Sequence, residues 1–299
     1  MNRMYIQSFN PSILEYHRQI LVLAHHKTIK LMATPPLPTL LDKMWHDYTT
    51  MNPQALQIHQ LFQEQGDSVQ NDHIALRTFN HPAVNIDVLA QPFLDSGYTY
   101  QQDYHFTEKK LYAKHYQHPD EQYPKIFISE LKLEEFDETL QTTVQELIDQ
   151  IPEGKPQEFD FCSQGRPWEV SYETYEQLRA TSEYAAWMAA HGYRPNHFTV
   201  FVNKLDTLND IIAVNEFIKG AGFQLNDSGG EVKGSPEVFL EQSSTLADTV
   251  EVEFSDGPQR VPACYYEFAQ RYPMPNGELY QGFVATSADK IFESTDKGQ

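Results

Sequence analysis

The spacing of apolar positions changes character several times along the chain, and the changes mark its elements. From Pro38 to Gln65 apolar residues recur every three to four positions: Leu40, Leu41, Met44, Trp45 and Tyr48, then Leu56, Ile58 and Leu61 after Pro53. That spacing predicts two helices with core-facing stripes. From Asn71 to Phe79 the period falls to two, which predicts a strand on which residues 73, 75 and 77 share one face. His73 and Arg77 flanking a small Ala75 make an odd lining for a strand that only packs. They suit a site holding a metal and an anionic substrate together. A solvated polar face explains the same strand equally well when it is read alone.

A second stretch, Arg194-Pro195-Asn196-His197-Phe198-Thr199-Val200-Phe201-Val202, repeats the pattern of Asn or Asp, His, apolar, small, apolar. Each stretch is followed by a short amphipathic helix closed by Gly and an aromatic residue, within Asn85–Tyr98 in one case and Leu208–Phe223 in the other. The chain therefore reads as a diverged duplication of strand-helix-strands units, with His73 and His197 at equivalent positions. Ile126–Leu131 closes the first unit as a strand carrying Glu130, and Glu267 lies near the end of the second. The two acids read as counterparts, of which a metal needs one.

Between the units, residues 133–192 read as a helical insertion. One helix is expected over Leu140–Ile151, ended by Pro152 and Gly154, and another over Ser171–Ala190, stopped by Gly192. Trp168 and Trp187 read as packing groups. Val238–Ser244 and Thr249–Phe254 read as strands of the second unit. The expected organisation is an N-terminal extension over 1–31 and a single catalytic domain over 32–299, made of a first unit with its N-terminal helices (32–132), the insertion (133–192) and a second unit with the C-terminal segment (193–299). Within the extension, Ser12–Leu31 has the spacing of an amphipathic helix. Ile20–Ala24 is too short for a signal-peptide core, and His25-His26 interrupts it.

Composition narrows the function. A formal charge of −20 over 299 residues argues against nucleic acid or anionic membrane as a partner. Two cysteines, Cys162 and Cys264, give neither a disulfide framework nor a thiolate cluster. With no apolar run near the roughly 18 residues of a membrane span, the cytoplasm is the expected location. Gly229-Gly230 lacks the phosphate-loop spacing, and Ser243-Ser244 lacks a nucleophile elbow. His105, His115 and His118 are closely spaced, but in a polar region without matched carboxylates.

Glu267 lies in the aromatic, apolar run Val261–Arg271, where an unpaired carboxylate is costly to bury. Either a metal or Arg271, on the same strand face, can offset that cost. Two imidazoles and one carboxylate form the ligand set of non-haem Fe(II) oxygenases, which leaves adjacent positions for a chelating 2-oxo acid and for dioxygen. Zn(II) or Mn(II) accepts the same donors, so the residues alone do not choose the metal.

At these residues the chain resembles the 2-oxoadipate dioxygenase/decarboxylase family. The likeness is carried by Asp72–Phe79, Asn196–Thr199, Leu240–Thr245, Tyr266–Arg271 and Gly282–Thr295, and covers about Met32 to Thr295 in consistent order. The resemblance implies an α+β fold of the vicinal-oxygen-chelate type, related to hydroxymandelate synthase, with iron inside a duplicated β-barrel. It implies His73, His197 and Glu267 as metal ligands, Arg77 as the substrate-carboxylate contact and a substrate contact from Ser287, which a helix-cap role explains equally well. The implied reaction converts 2-oxoadipate and O2 to 2-hydroxyglutarate and CO2, in lysine breakdown. Two other classes fit the residues: an O2-independent isomerase or lyase of the same superfamily with Glu130 as a fourth ligand, and a non-catalytic metal- or small-molecule-binding protein.

Overall fold

The structure, a computed structural model, describes residues 36–284. The extension over 1–31 and Ser287 lie outside the described residues. Two helices open the described chain, α1 (Leu37–Met51) and α2 (Pro53–Gln65), as their apolar spacing predicts. The first unit follows: β1 (Asn71–Phe79), α3 (Ile86–Asp95), β2 (Thr99–Phe106), β3 (Leu111–Gln117) and β4 (Lys125–Leu131). The insertion holds α4 (Glu138–Ile148), α5 (Tyr172–Thr181) and α6 (Glu183–His191). The second unit is β5 (Pro195–Phe201), α7 (Ile211–Gly220), β6 (Lys233–Ser235), β7 (Leu240–Ser244), the hairpin β8 (Thr249–Phe254) and β9 (Gly257–Pro262), and β10 (Glu267–Arg271).

Strand pairing confirms the duplication. Eight strands form one curled sheet in the order β2-β3-β4-β1-β5-β10-β7-β6, the half-barrel architecture of the vicinal-oxygen-chelate type. In the first unit β1 runs parallel to β4, which pairs antiparallel with β3, which pairs antiparallel with β2. In the second, β5, β10, β7 and β6 repeat those relations in the same order. The units meet where β1 and β5 pair antiparallel, so the two His-bearing strands are neighbours at the centre of the sheet. The β8–β9 hairpin is a separate two-stranded sheet inserted into the second unit.

The register corrects one expectation. Ala75 pairs with Phe127 in the first unit and its equivalent, Thr199, pairs with Glu267 in the second. Glu267 therefore matches Phe127, and Glu130 matches Gln270. The helix contacts agree. A Glu130 carboxylate oxygen accepts the Ile86 amide at the start of α3 (3.0 Å), and the Gln270 side-chain oxygen accepts the Ile211 amide at the start of α7 (2.9 Å). Counting along the chain missed this because the β8–β9 hairpin lengthens the second unit.

The central strands are buried on both sides, and alternation divides their side chains. One face carries Phe198, Tyr266 and Phe268, covered by Trp45 and Tyr48 of α1 and by Phe62 of α2. Each such aromatic contributes about 1.5–3 kcal/mol by leaving water. The opposite face carries His73, Arg77, His197 and Glu267, which places the chemistry away from the helical layer.

The insertion covers part of that second face. The continuous helix expected over Ser171–Ala190 is two helices, because Ser182 takes extended backbone (φ −153°, ψ 108°) and its hydroxyl caps α6 at the Ala185 amide. The break lets α6 run from the first unit to the second. Tyr184 donates to the Ser129 carbonyl (2.7 Å), and Trp187 donates to the Ala263 carbonyl (2.8 Å). Gly192 ends α6 at φ 66°, where a Cβ would collide with the backbone of Gly165 and Arg166. The strand over Val238–Ser244 begins only at Leu240, because residues 236–238 form a short 3-10 turn and Phe239 is left-handed (φ 64°).

Candidate metal centre

The strand-opening histidines are aimed by local irregularities. Side chains of consecutive strand residues normally point to opposite faces. The β1–β5 ladder shifts register between Asn71 and His73 and again between Ala75 and Leu76, opposite Asn196. Each shift lets the residue before a histidine reach its ring. His73 Nδ1 lies 2.8 Å from an Asp72 oxygen, and His197 Nδ1 lies 3.0 Å from the Asn196 side-chain oxygen. With Nδ1 donating in both rings, each histidine turns Nε2 toward the sheet face, where the Thr199 hydroxyl lies 3.1 Å from that of His73.

Glu267 lies between them. Its Oε1 is 3.3 Å from His73 Nε2 and its Oε2 is 3.4 Å from His197 Nε2. One ligand atom from each residue lies within 4.8 Å of the others, and all three side chains are buried. Metal–donor bonds of about 2.1 Å put neighbouring donors about 3 Å apart, so the donor set fits a divalent ion. The electrostatics agree. Burial raises the Glu267 pKa, against the pull of His73 and a hydrogen bond from Gln242 (2.7 Å), so the carboxylate lacks sufficient positive charge around it. Burial, then the nearby His73 and Arg77, hold His197 well below the ordinary histidine range, leaving a neutral imidazole suited to ligation.

Arg271, the alternative partner for Glu267, is engaged elsewhere. It makes a two-point pair with Asp72, Nε to Oδ2 at 2.6 Å and Nη2 to Oδ1 at 2.8 Å. Burial would raise the Asp72 pKa, but Arg271 and Lys125 overcome that and hold it well below the usual carboxylate range. An ionised Asp72 in turn fixes the Nδ1 proton of His73.

Arg77 is buried, its guanidinium 4.9 Å from the Tyr184 ring and 5.0 Å from the Trp187 ring. The α6 tryptophan read as a packing group thus also faces a cation. A cavity of about 210 Å³ opens beside Arg77, lined also by Lys109, Lys110 and Tyr184, and includes none of the three ligand residues. Glu108 and Glu183 also line that cavity, but among the described residues the donors close enough to share one ion are those of the buried set.

The remaining histidines separate. His115 is buried against Tyr104 (2.9 Å), His105 faces Asp103 at the surface, and His118 packs on Tyr98 and Tyr123. Among the described residues they form no metal group. Glu130, occupied at the start of α3, is not part of the cluster either. Residues missed in the sequence include Gln242, Phe283 and Tyr265, whose ring stacks on His197 at 4.7 Å. Asp72 and Asn196 did leave a signal, since a short polar residue precedes each histidine.

The chain is 34% identical over 297 residues to the chloroplastic 2-oxoadipate dioxygenase/decarboxylase of Arabidopsis thaliana, covering 90% of this chain and 80% of that protein. Its fold matches the crystal structure of hydroxyglutarate synthase from Oryza sativa in complex with 2-oxoadipate, with a TM-score of 0.79 and 34% identity over 87% of this chain and 91% of that one. A protein of Shewanella frigidimarina, provisionally labelled a hydrolase, matches with a TM-score of 0.80 and 54% identity over 83% of this chain and 97% of that one. No helix among the described residues is long and apolar enough to cross a membrane. Residues 33–279 match the family described as 2-oxoadipate dioxygenase/decarboxylase, and the chain belongs to that family.

Proposed function

We propose that the protein binds Fe(II) through His73, His197 and Glu267 and converts 2-oxoadipate and O2 to 2-hydroxyglutarate and CO2. The observation that carries this reading is the buried convergence of two oriented imidazoles and one carboxylate on a single point. Family membership supplies the reaction type and the substrate class. The reaction balances without a further reductant: both oxygen atoms of O2 end in the products, and the carboxyl next to the keto carbon leaves as CO2.

Bound Fe(II) would supply the activation of dioxygen and a chelating centre for the 2-oxo acid. The protein supplies orientation and selection. Asp72 and Asn196 hold both imidazoles in the ligating tautomer. Gln242 fixes the Glu267 carboxylate by donating to Oε1. In this reading Arg77 takes the distal carboxylate, with two parallel N–H donors matching its two oxygens. Tyr184 and Trp187 hold the guanidinium, so it is positioned before substrate arrives. The buried setting keeps water from the reacting carbons and strengthens the ionic contact.

The test is anaerobic Fe(II) loading of the full chain, then O2 uptake and CO2 release with 2-oxoadipate, 2-oxoglutarate and monocarboxylic 2-oxo acids. Equal consumption of O2 and release of CO2, greatest with 2-oxoadipate, is expected. Turnover without O2 would point to an isomerase or lyase. A purified protein that takes up no stoichiometric metal would point to a binding protein.

A further inference from the structure

Arg271 is fully buried, and its guanidinium serves two parts of the molecule. One edge holds Asp72, which takes the Nδ1 proton of His73. The other edge, through Nη1, donates to the backbone carbonyls of Tyr280 (3.0 Å) and Gly282 (2.8 Å). The chain held there returns to the same histidine. Phe283 stands perpendicular to the His73 imidazole, with ring centroids 4.8 Å apart at 87°. Its amide donates to the Tyr104 hydroxyl (3.2 Å), and its ring packs on Phe127 (4.9 Å) and His115 (5.3 Å). Besides the Thr199 hydroxyl at Nε2 (3.1 Å), His73 is held by Asp72 at Nδ1 and by the Phe283 ring, and these last two supports lead to one guanidinium.

We propose that seating of the Tyr280–Phe283 segment and capture of the metal are coupled through Arg271, which acts as a positioning residue for His73. The inference rests on the metal reading above and extends it to the C-terminal segment. A guanidinium is a rigid plane, so the carbonyls that fix one edge also set the angle at which the other edge meets Asp72. With the segment seated, His73 is held in its ligating pose before the ion arrives. With the ion bound, His73 is immobile and gives Phe283 a fixed surface. Such coupling is reciprocal: whatever the segment adds to metal affinity, the metal adds to seating of the segment.

The experiment uses the full chain with Mn(II) as the probe. Phe283→Ala and Arg271→Lys are expected to weaken Mn(II) binding by about tenfold, the usual scale for residues that orient a metal ligand. Phe254→Ala removes a buried aromatic packed on Tyr172 and Tyr175, and is expected to leave the affinity unchanged. In the unmodified protein, Mn(II) is expected to slow hydrogen exchange in the peptide spanning residues 280–284. Exchange there that ignores Mn(II), or a folded Phe283→Ala protein that binds Mn(II) like the parent, would overturn the coupling. If the variants do not fold, the exchange measurement on the unmodified chain decides. Failure of the unmodified chain to bind Mn(II) would overturn the metal reading and the coupling together.

Discussion

Laid on one another by strand register, the two halves of the sheet match His73 with His197, Asp72 with Asn196, Arg77 with Phe201, Phe127 with Glu267, and Glu130 with Gln270. The first, second and last of these pairs do the same work in both halves: a histidine facing inward, a short polar side chain at its Nδ1, and a side-chain oxygen at the start of a helix. The others have diverged. The first half carries Arg77 and has an apolar residue, Phe127, where the second carries Glu267. The second carries a phenylalanine where the first carries Arg77. A duplicated backbone thus needs to keep only the parts that build the sheet and aim the imidazoles. In the function proposed above, one ion needs one carboxylate and one dicarboxylic substrate needs one extra cation, and the two halves would divide these roles.

The largest effect should come from Glu267, the carboxylate that the first half replaces with Phe127. Glu267→Ala is expected to abolish metal retention and lower turnover at least about 10³-fold, as loss of an essential group does; elemental analysis and CO2 release read both. Glu130→Gln, which copies the other half's Gln270, should retain full metal content, and loss of metal there would restore Glu130 as a ligand. Next comes the cation. Arg77→Met is expected to lower kcat/KM for 2-oxoadipate by about 10²-fold, equivalent to about 3 kcal/mol for a charge-assisted pair. Monocarboxylic 2-oxo acids should be affected far less, and an equal loss for both classes would remove Arg77 from carboxylate recognition.

The residues behind the histidines give a smaller, asymmetric pair of effects. Asn196→Ala should weaken metal binding by about tenfold through loss of ring orientation. Asp72→Asn should do the same and also lower stability by about 3 kcal/mol, because it leaves the buried Arg271 without its counter-charge. Denaturant titration beside metal titration separates the two, and equal stability losses would contradict the charge difference between the halves.

The mildest effect concerns pH. Burial, with Arg271 and Lys125 adding to it, pushes His115 down to about 3, and burial does the same to His191. A lowered folded-state pKa means that the unfolded chain takes up the proton first. Stability is therefore intact above the ordinary value of 6.5 and falls as pH drops from there toward about 3. The slope approaches about 1.4 kcal/mol per pH unit for each such histidine. Glu267, raised by burial in the metal-free protein, works in the opposite sense, since the folded state favours its protonated form. His115→Gln should flatten the decline in urea midpoint between pH 6.5 and pH 5 by about one histidine's share.

Much of this was legible in the chain. The Asn71–Phe79 strand was bounded correctly because alternation and β-favouring residues coincide there. The duplication was visible because both units open with a polar residue and a histidine and continue into helices ended by Gly and an aromatic. The Glu130–Glu267 correspondence failed because a hairpin inserted in one unit shifts sequence distance without shifting register. The single helix over Ser171–Ala190 failed because Ser182, unremarkable as a helix residue, is also a good cap, and packing against both units decided between those roles.

By itself the sequence determined most of the elements, the repeat and the residue types of the candidate donor set, because periodicity and donor chemistry are local properties of residues. Only the tertiary structure decided that Arg271 belongs to Asp72 and leaves Glu267 open to a metal. Which cation meets which buried carboxylate depends on the register of β10 and on the bulge at Asp72, and both are set by strands meeting across the sheet.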